Sequence, residues 1–310
     1  ALMAEKLLLV KKAKIARESR DMKLSLNMAN KACQALPDDP NAYWMRSLVY
    51  INQEQFKEAL VDLDKAIKLA PYFPPLYYLR ADCQTELGQF EKAIADYSKI
   101  LELNKRLVAL RFVYETGRLR GKSEFSDLHV VNLTDIHILR GNLYMMQKKY
   151  AQAVGDYSLA IKLDPKETEP FLSRGKAYTA LKDWKEAELD LNKSIKLTGG
   201  AWECFLAMAT MYEQKGDINK AEEAFNSLVA DETSVGTGPR LMRGQFFARQ
   251  NKNDKALADF NFCLSKDDSD EDACRSRADL YLKLKRYDMA RADYKRLLQM
   301  AGSDKALSEA

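Results

Sequence analysis

Apolar residues recur at three- and four-residue steps in short stretches along the chain. Polar or glycine-bearing turns such as LGQF (87–90) and KGDI (215–218) interrupt them. The spacing predicts helices in pairs, each pair being two amphipathic rods joined by a tight turn. The pairs are copies of one unit. Ala59, Ala93, Ala153, Ala187, Ala221, Ala256 and Ala290 stand 34, 60, 34, 34, 35 and 34 residues apart, the long interval being one period of 34 plus 26 further residues. An earlier, worn copy is centred on Ser25, again 34 residues before Ala59, with Ala13 and Pro37 in its small and proline positions.

Around each alanine the same kinds of side chain return. Twelve residues before it lie Ser47, Ala81, Gly141, Gly175, Ala209, Gly244 and Ala278, all small. Nine before it lie Tyr50, Gln84, Tyr144, Tyr178, Tyr212, Phe247 and Tyr281, and four after it Leu63, Tyr97, Tyr157, Leu191, Phe225, Phe260 and Tyr294. A small residue lets two helix backbones approach closely, and large side chains fill the space beside that contact. Pro37, Pro71 and Pro165 follow second helices and block their continuation. These columns, seen together in PFLSRGKAYTALKDWKEAELDLNKSIKL (170–197), resemble the tetratricopeptide repeat, and the likeness covers eight repeats from about residue 6 to 304. The resemblance implies an all-α fold, a right-handed α-solenoid superhelix of tandem helix-turn-helix repeats with a concave inner face. A single helix pair cannot bury its own apolar side, so each repeat depends on its neighbours. On this frame residues 1–107 hold repeats 1–3, the first degenerate, and residues 108–133 are an insertion, partly helical with a basic loop. Residues 134–304 hold repeats 4–8, and 305–310 form a C-terminal tail.

Two charged columns travel together. Thirteen residues before the key alanine stand Arg46, Arg80, Arg140, Arg174, Arg243 and Arg277, and three after it stand Asp62, Asp96, Asp156, Asp190, Asp259 and Asp293. The Ala221 repeat has Met208 and Ala224 instead, and the first repeat Lys12 and Met28. No repeat sets the arginine against a neutral residue. The columns read as structural ion pairs between the two helices of a repeat, because losing one member strands a charge while losing both need not. Duplication of repeats would also carry both letters together.

Composition narrows the chemistry. With 49 basic and 45 acidic residues the net charge is +4, too even for the concentrated basic face that nucleic acid requires. No apolar run approaches the ~18 residues of a membrane span. Five widely spaced cysteines form no CxxC pair and there are two histidines, His129 and His137, so no metal site is expected. The thiols read as small buried side chains in a reducing compartment, and His137 takes an apolar core column. No catalytic set or cofactor motif emerges, and the expectation is a non-enzymatic protein. The start, ALMAEKLLLVKKAKIA, lacks a cleavage pattern and an initiator methionine, which suggests a trimmed piece of a longer protein whose targeting segment could lie outside it, and the reduced thiols set the expected location as intracellular and cytoplasmic.

Residues 117–123, GRLRGKS, imitate a phosphate-binding loop. That loop needs four residues between its glycines, so that successive N–H groups wrap the phosphates, and it needs a preceding strand. Gly117 and Gly121 enclose three, and the preceding NKRLVALRFVYET has helical steps. The likeness is coincidental. The stretch marks the insertion, in which the second helix of repeat 3 should run on to about Glu115 before a loop. Arg111, Arg118, Arg120 and Lys122 give it a positive bias that could contact an acidic partner, the alternative being a solvated insertion.

In the tetratricopeptide family the first helix of each repeat lines the groove. Carried over, that places Trp44, Tyr78, Ile138, Leu172, Leu206, Leu241 and Arg275 in one row. Leu48, Asp82, Asn142, Lys176, Thr210, Gln245 and Asp279 form a second row, four residues further along. An extended or helical peptide could bury side chains on the first row and bond to the second. The competing reading is that adjacent helices cover the apolar row. Trp44 and Tyr78 are the strongest anchors. Chaperone-binding members grip a terminal carboxylate with a clamp of lysines, arginine and asparagines. Asn142 fits one clamp position, but Ile138, Ser173, Glu203 and Ala207 occupy the others, so that clamp is absent. The expected function is an interaction scaffold for a protein or peptide within a larger assembly. The alternative is the substrate-recruiting region of a larger enzyme, chaperone or import receptor.

Overall fold

The computed structural model describes residues 22–115, 131–229 and 236–308. Among them lie fifteen helices and no strand, distributed over two compact units, residues 1–170 and 171–310. Unit 1 contains α1 (Met22–Ala35), α2 (Pro40–Asn52), α3 (Phe56–Leu69), α4 (Pro74–Glu86), α5 (Phe90–Glu115), α6 (Leu133–Met146) and α7 (Tyr150–Leu163). Helix α8 (Glu169–Ala180) opens at the boundary, and unit 2 continues with α9 (Trp184–Thr198), α10 (Trp202–Lys215), α11 (Ile218–Leu228) and α12 (Thr237–Arg249). It closes with α13 (Asn253–Lys266), α14 (Glu271–Lys283) and α15 (Tyr287–Ser308). The fold is an all-α solenoid of helix pairs, each α-even helix being the first of a repeat and the next its second. Lys12 and Ala13 of the first repeat lie outside the described residues, as do His129 and the insertion residues Arg118, Arg120 and Lys122. Arg111 falls on the last turns of α5, which carries the second helix of repeat 3 to Glu115. Helix α15 runs to Ser308, through most of the segment expected to be a tail.

First helices begin where the sequence supplies a stop or a cap. Pro40 and Pro74 open α2 and α4, and proline at the first helical position gives up no hydrogen bond. Asp39 accepts from Asn41 N at 2.9 Å and Asn132 from Thr134 N at 3.0 Å, capping α2 and α6. The turns inside repeats share one lock. Five residues before each key alanine the backbone is left-handed: Glu54, Lys148, Lys182, Asn251 and Lys285 at φ 57–62°, Gly88 at 70° and Gly216 at 86°. The next N–H reaches back to the carbonyl of residue −9 at 2.7–2.9 Å, as in Gln55 to Tyr50 or Lys252 to Phe247. This Schellman closure satisfies carbonyls the helix end would leave bare, offsetting the roughly 1 kcal/mol that a side chain loses in that conformation.

Close helix approach is visible in the small column. A Cβ on Gly141 would stand 2.7 Å from the Tyr157 ring, and one on Gly244 2.7 Å from Phe260. Gly141, Gly175 and Gly244 each therefore receive the large residue four places after the key alanine, Tyr157, Leu191 and Phe260. The core of unit 1 includes fully buried Leu63, Leu76, Ile100 and Ile136, and that of unit 2 Leu191, Met211, Phe225, Phe246 and Phe260, with Phe225 and Phe246 stacked at 4.5 Å. All five cysteines are buried and free. Burial pushes the thiols of Cys33 and Cys263 up to about 11 and that of Cys83 to about 12. No helix among the described residues is long and apolar enough to cross a membrane.

Candidate interaction face

The first helices owe their orientation to the arginine column. In all six Arg–Asp repeats Nε and Nη2 donate to the two carboxylate oxygens at 2.6–2.8 Å, a fork-to-fork arrangement. The pairs are Arg46–Asp62, Arg80–Asp96, Arg140–Asp156, Arg174–Asp190, Arg243–Asp259 and Arg277–Asp293. The aspartates are 2–7% exposed. Within the same helix, each of Arg46, Arg140, Arg174, Arg243 and Arg277 also lies 5.6–6.0 Å from the ring four residues on, which accounts for the aromatic column at −9.

A third contact was not legible from spacing within one repeat. Nη1 of Arg46, Arg80, Arg140, Arg243 and Arg277 donates to Asn30, Asp64, Ser98, Asn226 and Asn261 at 2.6–3.1 Å. Each acceptor sits on the second helix of the preceding repeat. One guanidinium thus ties three helices together, and Arg140 does so to Ser98 across the insertion. The signal available in the sequence was a column of short polar residues five places after the key alanine. In the Ala221 repeat Met208 and Ala224 are 5% and 7% exposed, so charge is absent where both members are. That repeat is joined to the next by Arg249 on Glu213 at 2.9 Å through two bonds, and by Lys252 and Lys255 on Glu222.

His137 needs correction. It is buried, but its Nδ1 stands 2.8 Å from Asp156 Oδ1, so the imidazole enters the polar frame rather than an apolar column. Burial alone would raise the Asp156 carboxyl. Hydrogen bonds from Arg140 and His137 outweigh it and hold the group below the usual carboxylate range.

The two rows assigned to the groove divide in the structure. Trp44 is half-buried on α2, edge-on to Phe73 at 5.3 Å, and its Nε1–H is buried without a partner. Tyr78 is half-buried on α4, edge-on to Tyr97 at 6.3 Å, and Leu48 is half-buried on α2. Ile138 is 5% exposed and belongs to the core, a correction to its place among contact residues. Leu172, Leu206 and Leu241 are half-buried and pack against the core of unit 2, as the covering alternative expects. Asp82 and Lys176 are exposed. Asn142 accepts from the Tyr157 hydroxyl at 2.6 Å and Asp279 from Tyr294, so part of the polar row is held by the repeat's own second helix.

Two profiles described as tetratricopeptide repeat match residues 134–167 and 241–305. The chain belongs to the tetratricopeptide repeat superfamily. A further profile, that of anaphase-promoting complex, cyclosome, subunit 3, matches residues 19–100 of this tetratricopeptide protein. No curated protein sequence matches it. Solved structures share the fold. A tetratricopeptide repeat protein from Parabacteroides merdae is 19% identical over 89% of this chain and 98% of its own, with a TM-score of 0.58. The C-terminal part of a repeat protein from Cytophaga hutchinsonii is 14% identical over 86% and 98%, with a TM-score of 0.64. YrrB, described as a TPR protein with an unusual peptide-binding site, is 16% identical over 66% and 93%, with a TM-score of 0.51.

Proposed function

We propose that this protein-interaction scaffold binds a partner polypeptide in the groove lined by the first helices of unit 1, and holds it within a larger assembly. The observation that carries the reading is the half-buried Trp44, with Leu48 one turn on and Tyr78 on the next first helix. Large aromatic rings left partly open on a rigid frame are the usual anchors of an interface. The fold supports the class of function, since tetratricopeptide arrays are scaffolds for proteins and peptides. The peptide-binding site named for YrrB and the complex-subunit profile favour the same reading. In unit 2 the corresponding positions hold leucines, half-buried like Trp44 and Tyr78 but without an aromatic ring, which favours unit 1 as the site.

The experiment is affinity capture with the wild-type chain beside a Trp44→Ala/Tyr78→Ala variant, with captured proteins identified by mass spectrometry. Partners of the wild type should be lost from the variant while its helical circular dichroism is retained. Equal recovery of every partner would move the site away from this face.

A further inference from the structure

The first helices of unit 1 carry unneutralised charge of one sign. On α2, α4 and α6 the arginines Arg46, Arg80 and Arg140 are each locked on a buried aspartate, and His137 lies against Asp156. The charges left are Asp82 and Glu86 on α4 and Asp135 on α6, all exposed and none held by a basic side chain among the described residues. Asp135 accepts from Asn132 Nδ2 at 3.0 Å, which leaves its charge intact. The next lysine along the chain after Glu86 is Lys92, in the first turn of α5, and its Nζ donates to Gln89 Oε1 at 2.9 Å rather than to these carboxylates. A local excess of three negative charges in a protein of net charge +4 is no reflection of bulk composition.

The acids share a face with the anchors. Tyr78, Asp82 and Glu86 follow one another at four-residue steps on α4, and Met146, 60% exposed, ends the matching row of α6. The Tyr78 hydroxyl is raised by burial and then by both Asp82 and Asp135, so carboxylates from two helices act on one ring. Asp82 itself is raised by burial and by Glu86. Asp82 and Glu86, one helical turn apart, repel one another.

We infer that unit 1 receives a basic segment, its arginine or lysine side chains meeting Asp82, Glu86 and Asp135 and its apolar side chains lying between them against Trp44, Tyr78 and Met146. This rests on the interaction face proposed above and names the chemistry of its partner. Charge complementarity of this kind sets which partner is accepted and how fast it arrives, more than it sets raw affinity.

The test is fluorescence anisotropy of three labelled peptides titrated with the full chain: Gly-Arg-Leu-Gly-Arg-Leu-Gly-Arg-Gly and its counterparts with Gln or Glu for Arg. The arginine peptide should bind about tenfold tighter than the glutamine peptide and the glutamate peptide weakest, the differences shrinking as salt rises. Asp82→Asn/Glu86→Gln/Asp135→Asn should bring the arginine peptide to the level of the glutamine one. Glu58→Gln/Asp183→Asn/Asp288→Asn, which removes equal charge from exposed positions at second helices, should not. Arginine and glutamate peptides binding alike, or equal losses in both triple variants, would overturn the basic preference. If Trp44→Ala/Tyr78→Ala still abolishes binding in that case, the interaction face stands and only its charge chemistry falls. Arginine-peptide binding that survives Trp44→Ala/Tyr78→Ala overturns the face itself.

Discussion

The pair Arg46–Asp62 offers a quantitative trial of the frame. Asp62 is 2% exposed and takes two charge-assisted hydrogen bonds of 2.7 and 2.6 Å from Arg46, whose own side chain is 23% exposed and also held by Asn30. Arg46→Met strands a carboxylate where water barely reaches, a loss of about 3–5 kcal/mol. Asp62→Ala leaves a guanidinium that keeps Asn30 and some solvent, so the loss is smaller, about 1–3 kcal/mol. The double change Arg46→Met/Asp62→Ala reproduces the Met208 and Ala224 combination that another repeat of this chain already carries buried. It should cost about 1–2 kcal/mol, so the two single losses together exceed the double by about 2 kcal/mol or more. Repeat arrays need not unfold in one step. Urea unfolding followed by circular dichroism should therefore be joined by native-state hydrogen exchange resolved on α2 and α3. Additive single losses would refute the pairing, and an Asp62→Ala variant less stable than Arg46→Met would refute the asymmetry.

Three further outcomes follow from the same geometry. Gly141→Ala should destabilise by about 1–3 kcal/mol through its clash with the Tyr157 ring, and Tyr157→Leu in that background should recover part of the loss in a denaturant titration. The depressed Asp156 carboxyl contributes stability that is fully present above its unfolded pKa of roughly 4 and is lost as pH falls through its lower folded value. Asp156→Asn should thus be less stable at neutral pH and show a shallower decline in acid titrations followed by circular dichroism. With their thiols raised by burial, Cys33, Cys83 and Cys263 should resist iodoacetamide in the native chain at pH 8 and react promptly in urea, as mass spectrometry can read residue by residue.

Features confined to one repeat were legible in the sequence. The small column, the large column that fills it and the Arg–Asp pair each recur at a fixed offset from the key alanine, and the structure brings each set together. The third arginine contact was hidden because its acceptor lies in the preceding repeat and alternates among Asn, Asp and Ser, which a single-letter column obscures. His137 was misjudged because its column otherwise holds residues as different as Tyr43, Phe171, Arg240 and Cys274, and only three-dimensional contact with Asp156 distinguishes it. The rows assigned to the groove divided because burial depends on the neighbouring repeat. Trp44, Ile138 and Leu206 occupy one column, yet Ile138 is sealed while Trp44 and Leu206 stay half-buried against their cores.

The arginine that grips three helices also bears on how the array would yield to tension. Along α12 to α15 a pull on the chain meets a guanidinium fastening each repeat to the one before it. At the junction of α9 and α10 the fastening position holds Met208, and Asn192 of α9 has no guanidinium to receive there. Extended from its ends, unit 2 holds that seam by the Tyr212 hydroxyl on Glu188 at 2.8 Å and by the packing of Met208, without a charged tie among the described residues.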